Sequence, residues 1–179
     1  MKKRMSRKRV VCAAGALLLT GLSFNVFVAA EPSDSQRGRI VKPIPKADAA
    51  TLDRGRYIVK TAGCNDCHTP GYAQSAGAVE ESLWLTGDTL GWSGPWGTTY
   101  PINLRQFVQS VTPEQWLQIA RTPARPPMPW FALRDMTDAD VMAIYHYVRS
   151  LGPAGSIAPA YVPPGQPAKT PVVQYPAAA

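Results

Sequence analysis

Cys64-Asn65-Asp66-Cys67-His68 is the most chemically specific stretch of this chain. Two thiols three positions apart, with an imidazole directly after the second, form the attachment pattern of a c-type haem. The spacing has a chemical reason. Two sulfurs form thioethers to the two vinyl groups on one edge of a porphyrin, and the next residue brings its nitrogen to the iron. The pattern is short, and other sites share parts of it. A thioredoxin-like redox pair also uses C-x-x-C, but it expects a preceding strand and an alternating βα order that this sequence lacks. Zinc needs two further ligands, and His146 is the sole other histidine. In an oxidising compartment the two cysteines would also suit a disulfide.

An iron held by His68 on one side needs a ligand on the other. Arg125-Pro126-Pro127-Met128-Pro129-Trp130 offers one, 60 residues after His68. Its prolines fix φ and exclude a helix, so the segment is a stiff loop able to present the Met128 thioether with little ordering cost. Met136, Met142 and His146 are read as structural or solvent-facing side chains. An open or differently ligated sixth position is the alternative to Met128.

The elements that must position these residues are helical. From Thr51 the apolar pattern has a helical period, with Leu52, Gly55, Val59 and Ala62 on one face. Gly55 costs about 1 kcal/mol of helix propensity against alanine, which close approach of another helix would explain. Gly63 ends this helix and the Cys64–His68 motif follows at once. Residues 70–111 are rich in Gly, Ser, Thr and Trp without a sustained period, and read as loops. A loop region of that length needs something to pack on, and a porphyrin plate would serve. Trp84, Trp92, Trp96 and Tyr100 are candidates to cover it, with ordinary aromatic packing expected for at least half of them.

Thr112-Pro113-Glu114-Gln115 is a helix start, with Thr112 as cap, Pro113 in the first turn and Gln115 completing a capping box. Trp116, Ile119 and Ala120 form its inward face and Pro123 stops it. A last helix opens at Thr137-Asp138-Ala139-Asp140, where acids complement the helix dipole. Its apolar stripe is Val141, Ile144, Tyr145, Val148 and Leu151, and Gly152-Pro153 terminates it. Residues 153–179 hold seven prolines and no period, which suits a surface-lying or disordered tail.

The N-terminus has a different character. Six basic residues and no acid occupy residues 1–9, an apolar run spans 10–22, and Val28-Ala29-Ala30 precedes polar Glu31. This is the layout of a secretory signal peptide, with cleavage expected after Ala30. An uncleaved membrane anchor is the alternative. Cys12 lies in the apolar run and is expected to leave with it. The full chain has a net charge of +7. Without the head, 13 basic residues face 12 acidic ones, a balance of +1 that gives no hint of nucleic acid as a partner. The expected organisation is a signal peptide over 1–30, a flexible leader over 31–50, one domain over 51–152 and a Pro-rich tail over 153–179.

A capped helix leading into Cys64–His68, the Pro127-Met128-Pro129 loop and a final helix reading Thr137 to Leu151 together resemble a class I cytochrome c domain, over residues 52–151. The stretch from Pro126 to Pro153 is similar to the cytochrome c subunits of periplasmic alcohol, aldehyde and sugar-acid dehydrogenases. The resemblance implies an all-α fold, with the first and last helices packed around a covalently attached haem and joined by long loops. It places the helix crossing at Gly55 against Tyr145. It also implies one haem c on Cys64 and Cys67, with His68 and Met128 as axial ligands.

Two departures stand out. Those dehydrogenase subunits carry several haems, whereas this chain has one C-x-x-C-H. No Gly-Pro-Leu segment follows His68 to accept its Nδ1 proton, so that acceptor is unidentified. Arg125, Arg105 and Tyr100 are candidates to pair with the haem propionates, with solvation as the alternative. The implied function is single-electron transfer in the periplasm, as a free carrier or as the non-catalytic subunit of a dehydrogenase. Its partners would be a dehydrogenase as donor and a cytochrome or oxidase as acceptor. A haem enzyme or gas sensor with a labile or absent sixth ligand is the alternative, and membrane association is expected only with the signal retained.

Overall fold

The computed structural model describes Ile44 and residues 46–175. The basic head, the apolar run, Cys12, the cleavage position and most of the expected leader lie outside the described residues, as do residues 176–179. Among the described residues no helix is long and apolar enough to cross a membrane.

The first helix, α1, runs Ala49–Thr61, two residues ahead of the expected Thr51 start. Asp48 explains the difference: its carboxylate accepts from the Thr51 backbone N–H at 2.8 Å and caps the helix. Gly55, Ile58 and Val59 are its buried residues. Ala62 was expected on the inner face but is exposed, because the helix has ended and the chain is turning into α2, Cys64–His68.

The last helix, α6, runs Asp138–Ser150. Thr137 caps it by accepting from Asp140 N at 3.2 Å, and Asp138 and Asp140 lie in its first turn as expected. Six of its residues are buried: Val141, Ala143, Ile144, Tyr145, Tyr147 and Val148. That is wider than a single stripe, because α1 packs on one side of α6 and other elements on the next.

The crossing of α1 and α6 is centred on Gly55, but its partners are not those expected. A Cβ at Gly55 would lie 2.1 Å from the Ala143 carbonyl oxygen and 2.7 Å from Tyr147 Cβ. Tyr145, the expected partner, instead turns toward α4 (Pro113–Ala120). Its ring packs against Trp116 at 6.0 Å between centroids, and its hydroxyl donates to Val111 O at 3.0 Å. The shift follows from helical geometry. Residues 143 and 147 are one turn apart and share a face, whereas Tyr145 points to a different side. Arg54 pairs with Asp140 across the same seam at 2.8 Å.

Helix α4 opens with both bonds of its capping box, Gln115 N to Thr112 Oγ1 at 3.2 Å and Thr112 N to Gln115 Oε1 at 2.8 Å. Trp116 and Ala120 are buried, and Trp116 Nε1 donates to Val141 O at 2.9 Å. Ile119, expected on the inward face, is 42% exposed, since the face it occupies opens onto a cleft. Two shorter helices, α3 (Leu104–Phe107) and α5 (Trp130–Asp135), precede and follow α4.

The helical core is as expected, but the fold is not purely α. Residues read as loops contain an antiparallel hairpin, β1 (Gly91–Gly94) and β2 (Gly97–Thr99), paired Trp92 with Thr99, Ser93 with Thr98 and Gly94 with Gly97. A third strand, β3 (Val172–Gln174), comes from the tail and pairs parallel with β1, giving the order β2-β1-β3. Strands of three or four residues carry too few positions to show a period of two. The partner of β1 also lies some eighty residues further along the chain, outside any local window. Gly97 has φ +97°, and a Cβ there would meet Val162 O at 2.3 Å, so the hairpin also needs glycine to let the tail approach.

Candidate metal centre

Helix α2 places Cys64 and Cys67 on one face, one turn apart, with His68 at its last position. The helix is pinned from inside. Asn65 is fully buried, its Oδ1 accepts from Thr69 Oγ1 at 2.8 Å, and Thr69 Oγ1 in turn accepts from Leu85 N at 2.8 Å. The two half-buried cysteines are free thiols. Burial pushes the Cys64 thiol up to about 11, and burial with the nearby Asp66 also raises Cys67, so both are neutral at pH 7.

His68 is buried, and burial lowers its pKa against the opposing pull of one backbone hydrogen bond. That bond joins its Nδ1 to Ile102 O at 2.8 Å. With Nδ1–H donating to a carbonyl, Nε2 keeps its lone pair and the ring orientation is fixed, as a metal-ligating histidine requires. Tyr100-Pro101-Ile102-Asn103 thus supplies the acceptor left unidentified by the sequence. The signal was absent because the acceptor is a backbone carbonyl, which no side-chain pattern marks.

Cys64, Cys67 and His68 line a cleft of about 790 Å³ that Arg125, Met128 and Trp130 also line. That volume lies within the ~300–1,000 Å³ usual for cofactor sites. Met128 is half-buried and sits in a tight turn, with Met128 N donating to Arg125 O at 3.3 Å and Trp130 N to Met128 O at 2.8 Å. Leu104, Phe107, Trp116, Leu133 and Ile144 provide apolar walls. Trp116 and Ile144 were expected only as core. They serve both purposes, because the α4–α6 contact forms one side of the cleft.

The four aromatic candidates divide evenly. Trp92 and Tyr100 line the cleft. Trp84 is core, edge-on to Tyr72 at 5.7 Å with Nε1 donating to Val79 O, and Trp96 packs on Tyr175 at 5.5 Å. Of the other sulfur and imidazole groups, Met136 and Met142 pack against the core and His146 stands edge-on to Tyr145. None of those three lines the cleft.

Arg105 is not a site residue. It is buried and donates to Ser82 O and Gly152 O, both at 2.6 Å, and to Leu151 O. Its role is to satisfy the carbonyls at the C-terminus of α6. Arg125 and Tyr100 do lie on the cleft.

The donor set fits an iron porphyrin. Two neutral thiols share a helical face, a neutral imidazole has one nitrogen committed elsewhere, and a thioether stands on a stiff loop, all around an apolar-walled slot. Residues 52–152 match the family model described as Cytochrome c. No curated protein and no solved structure matches the chain.

Proposed function

The chain belongs to the cytochrome c family, whose members carry electrons on covalently attached haem, and we propose that this member is a single-haem periplasmic carrier, free or docked as the electron-transfer subunit of a dehydrogenase. In this reading Cys64 and Cys67 would hold the porphyrin by thioether bonds, and His68 and Met128 would supply a nitrogen and a sulfur donor to its iron. The observation that carries it is the hydrogen bond from His68 Nδ1 to Ile102 O, which leaves Nε2 as the nitrogen presented on a cleft that Cys64, Cys67 and Met128 also line. The bound haem supplies a one-electron Fe(III)/Fe(II) couple, and pairing a thioether with an imidazole favours the reduced form relative to two imidazoles.

The chain's own residues tune and shield that couple. Ile102 O sets the basicity and rotation of His68. The prolines around Met128 hold its sulfur without a large ordering cost. Phe107, Trp116 and Ile144 exclude water from the inner cleft, while Ile102 and Ile119, 44% and 42% exposed, give its mouth an apolar rim for brief docking of redox partners. The basic head, apolar run and Val28-Ala29-Ala30 support export with removal of the signal.

The test is the intact mass and visible spectrum of the protein from cells competent in cytochrome maturation. The expected mass is the chain from Glu31 plus one haem, with a low-spin spectrum and a methionine–iron charge-transfer band when oxidised. A mass equal to the bare polypeptide overturns haem attachment, and a high-spin resting spectrum overturns Met128. Rapid binding of carbon monoxide to the reduced protein at neutral pH would replace the carrier by a haem enzyme or gas sensor.

A further inference from the structure

The His68 ring takes its orientation from one oxygen, Ile102 O, and that oxygen sits on irregular chain between β2 and α3. Such a stretch has no ladder or helix of its own, so its neighbours must fix it. The domain supplies backbone bonds from Asp88 N to Pro101 O at 3.1 Å and from Leu104 N to Leu85 O at 3.0 Å. Residues beyond Gly152 add more. Asn103 is buried, and its Nδ2 donates to Ala154 O at 2.7 Å and to Ser156 O at 3.1 Å. Tyr100 is buried, and its hydroxyl accepts from Thr170 Oγ1 at 3.0 Å. Thr98 exchanges backbone bonds with Val162 at 2.8 and 3.0 Å.

These contacts bracket Ile102, with Thr98 and Tyr100 before it and Asn103 directly after. The tail is shaped for the approach. Gly155 has φ +71°, and a Cβ there would lie 2.8 Å from Thr86 Cβ and 3.1 Å from Asn103 Nδ2, so a side chain would push the tail off that amide. Between Tyr100 and Ile102 stands Pro101, whose ring fixes φ and leaves fewer torsions to absorb a displacement. On the other side, Gly87 N donates to His68 O at 2.8 Å, and a Cβ at Gly87 would lie 2.7 Å from Asn103 N. The bracketed stretch therefore packs directly on the chain that holds the His68 backbone.

We propose that the tail from Ala154 to Thr170 is a clamp that keeps Ile102 O in register with His68 Nδ1. Asn103, Val162 and Thr170 are positioning residues that act through the Ile102 carbonyl, and none of the three lines the cleft. The inference rests on the haem reading above, in which a displaced carbonyl would free the imidazole to rotate and lower its basicity as a ligand. The tail half of the clamp lies beyond residues 52–152, the part of the chain that matches the family. The bond that orients His68 is thus secured from outside the shared domain.

The experiment follows solvent exchange of the His68 Nδ1 proton by NMR in the reduced, covalently loaded protein, with the Val59 and Val148 amides of α1 and α6 as internal references. Asn103→Ser loses the reach to Ala154 and Ser156 but keeps an oxygen to cap α3, where Asn103 Oδ1 now accepts from Gln106 N at 3.0 Å. It should quicken exchange of the ring proton about tenfold, and Thr170→Val about threefold. Both reference amides should keep their parent rates. Thr170→Ser retains the hydroxyl and should retain the parent rate. A ring proton unchanged in both Asn103→Ser and Thr170→Val overturns the proposal and leaves the carrier reading intact. Equal quickening of the reference amides also overturns it, since the tail would then add only general stability. A Thr170→Ser rate matching that of Thr170→Val overturns the link through Tyr100. Should Asn103→Ser fail to fold, Thr170→Val decides. Absence of covalent haem in the unsubstituted protein is a different failure, that of the haem reading itself.

Discussion

The helical frame and the hairpin with its tail are built by different physics. On the helical side, α1 and α6 meet so closely that the Ala143 carbonyl occupies the space a side chain at Gly55 would need. The contact is apolar and excludes water, and Val59 of α1 and Val148 of α6 are fully buried. On the other side, strands of three or four residues are held by the tail. Tyr175 packs at 5.9 Å from Trp92 and 5.5 Å from Trp96, and a few hydroxyl bonds complete the contact. The helical side fixes where the thiols and His68 stand, and it needs rigidity. The hairpin and tail supply polar groups and aromatic cover, and their shorter, half-exposed elements open more easily.

The sharpest way to break this contrast is at the helix crossing. Gly55→Ala gains about 1 kcal/mol of helix propensity. The added methyl, however, meets backbone, which yields only if the helices separate, and the expected net loss is about 2 kcal/mol. Denaturant unfolding should show a clear fall in midpoint, and an unchanged midpoint would mean the crossing is looser than the structure places it. On the opposite side, Tyr175→Ala removes two aromatic contacts from a half-exposed ring and should cost about 1 kcal/mol. Amide exchange should quicken in β1 and β3 while α1 and α6 keep their protection. Equal loss of protection in both regions would show that they open as one unit.

The smallest effect lies within the helical region. Glu81 accepts from Arg56 Nε of α1 at 2.8 Å and from the Tyr147 hydroxyl of α6 at 2.7 Å. Arg56 is the main cause holding its carboxyl below the ordinary 4.5, with Tyr147 adding to it. A carboxyl with a folded pKa below its unfolded one stabilises fully above about pH 4.5, and loses that contribution as pH falls through the folded value. The stability difference between the parent and Glu81→Gln should therefore be present at pH 6 and shrink toward pH 3. A difference that stays constant over that range would remove Glu81 from the acid response.

How much of this was legible follows the same division. The Thr112 capping box, the Thr137 start and the buried stripe of α6 could be read because caps and helical periods are local, spanning three to seven residues. The placement of Cys64, Cys67 and His68 was readable for the same reason, since their spacing is itself the geometry. Gly55 announced a close crossing, but not its partners Ala143 and Tyr147, because which side of α6 faces α1 depends on everything else packed around that helix. The hairpin was invisible. Its residues alternate no polarity, and its edge partner Val172 lies in a tail that reads as featureless.

The sequence by itself determined the Cys64–His68 spacing, the helical frame and the Pro-Met-Pro loop, because each is encoded by neighbours along the chain. Only the tertiary structure decided that Ile102 O receives the His68 proton, that Arg105 caps α6 instead of lining the site, and that the Arg125 guanidinium stacks on the Tyr161 ring. Those are contacts between a side chain and a distant backbone oxygen or ring, and such partners leave no pattern in sequence because any residue can offer a carbonyl and any fold can bring one near.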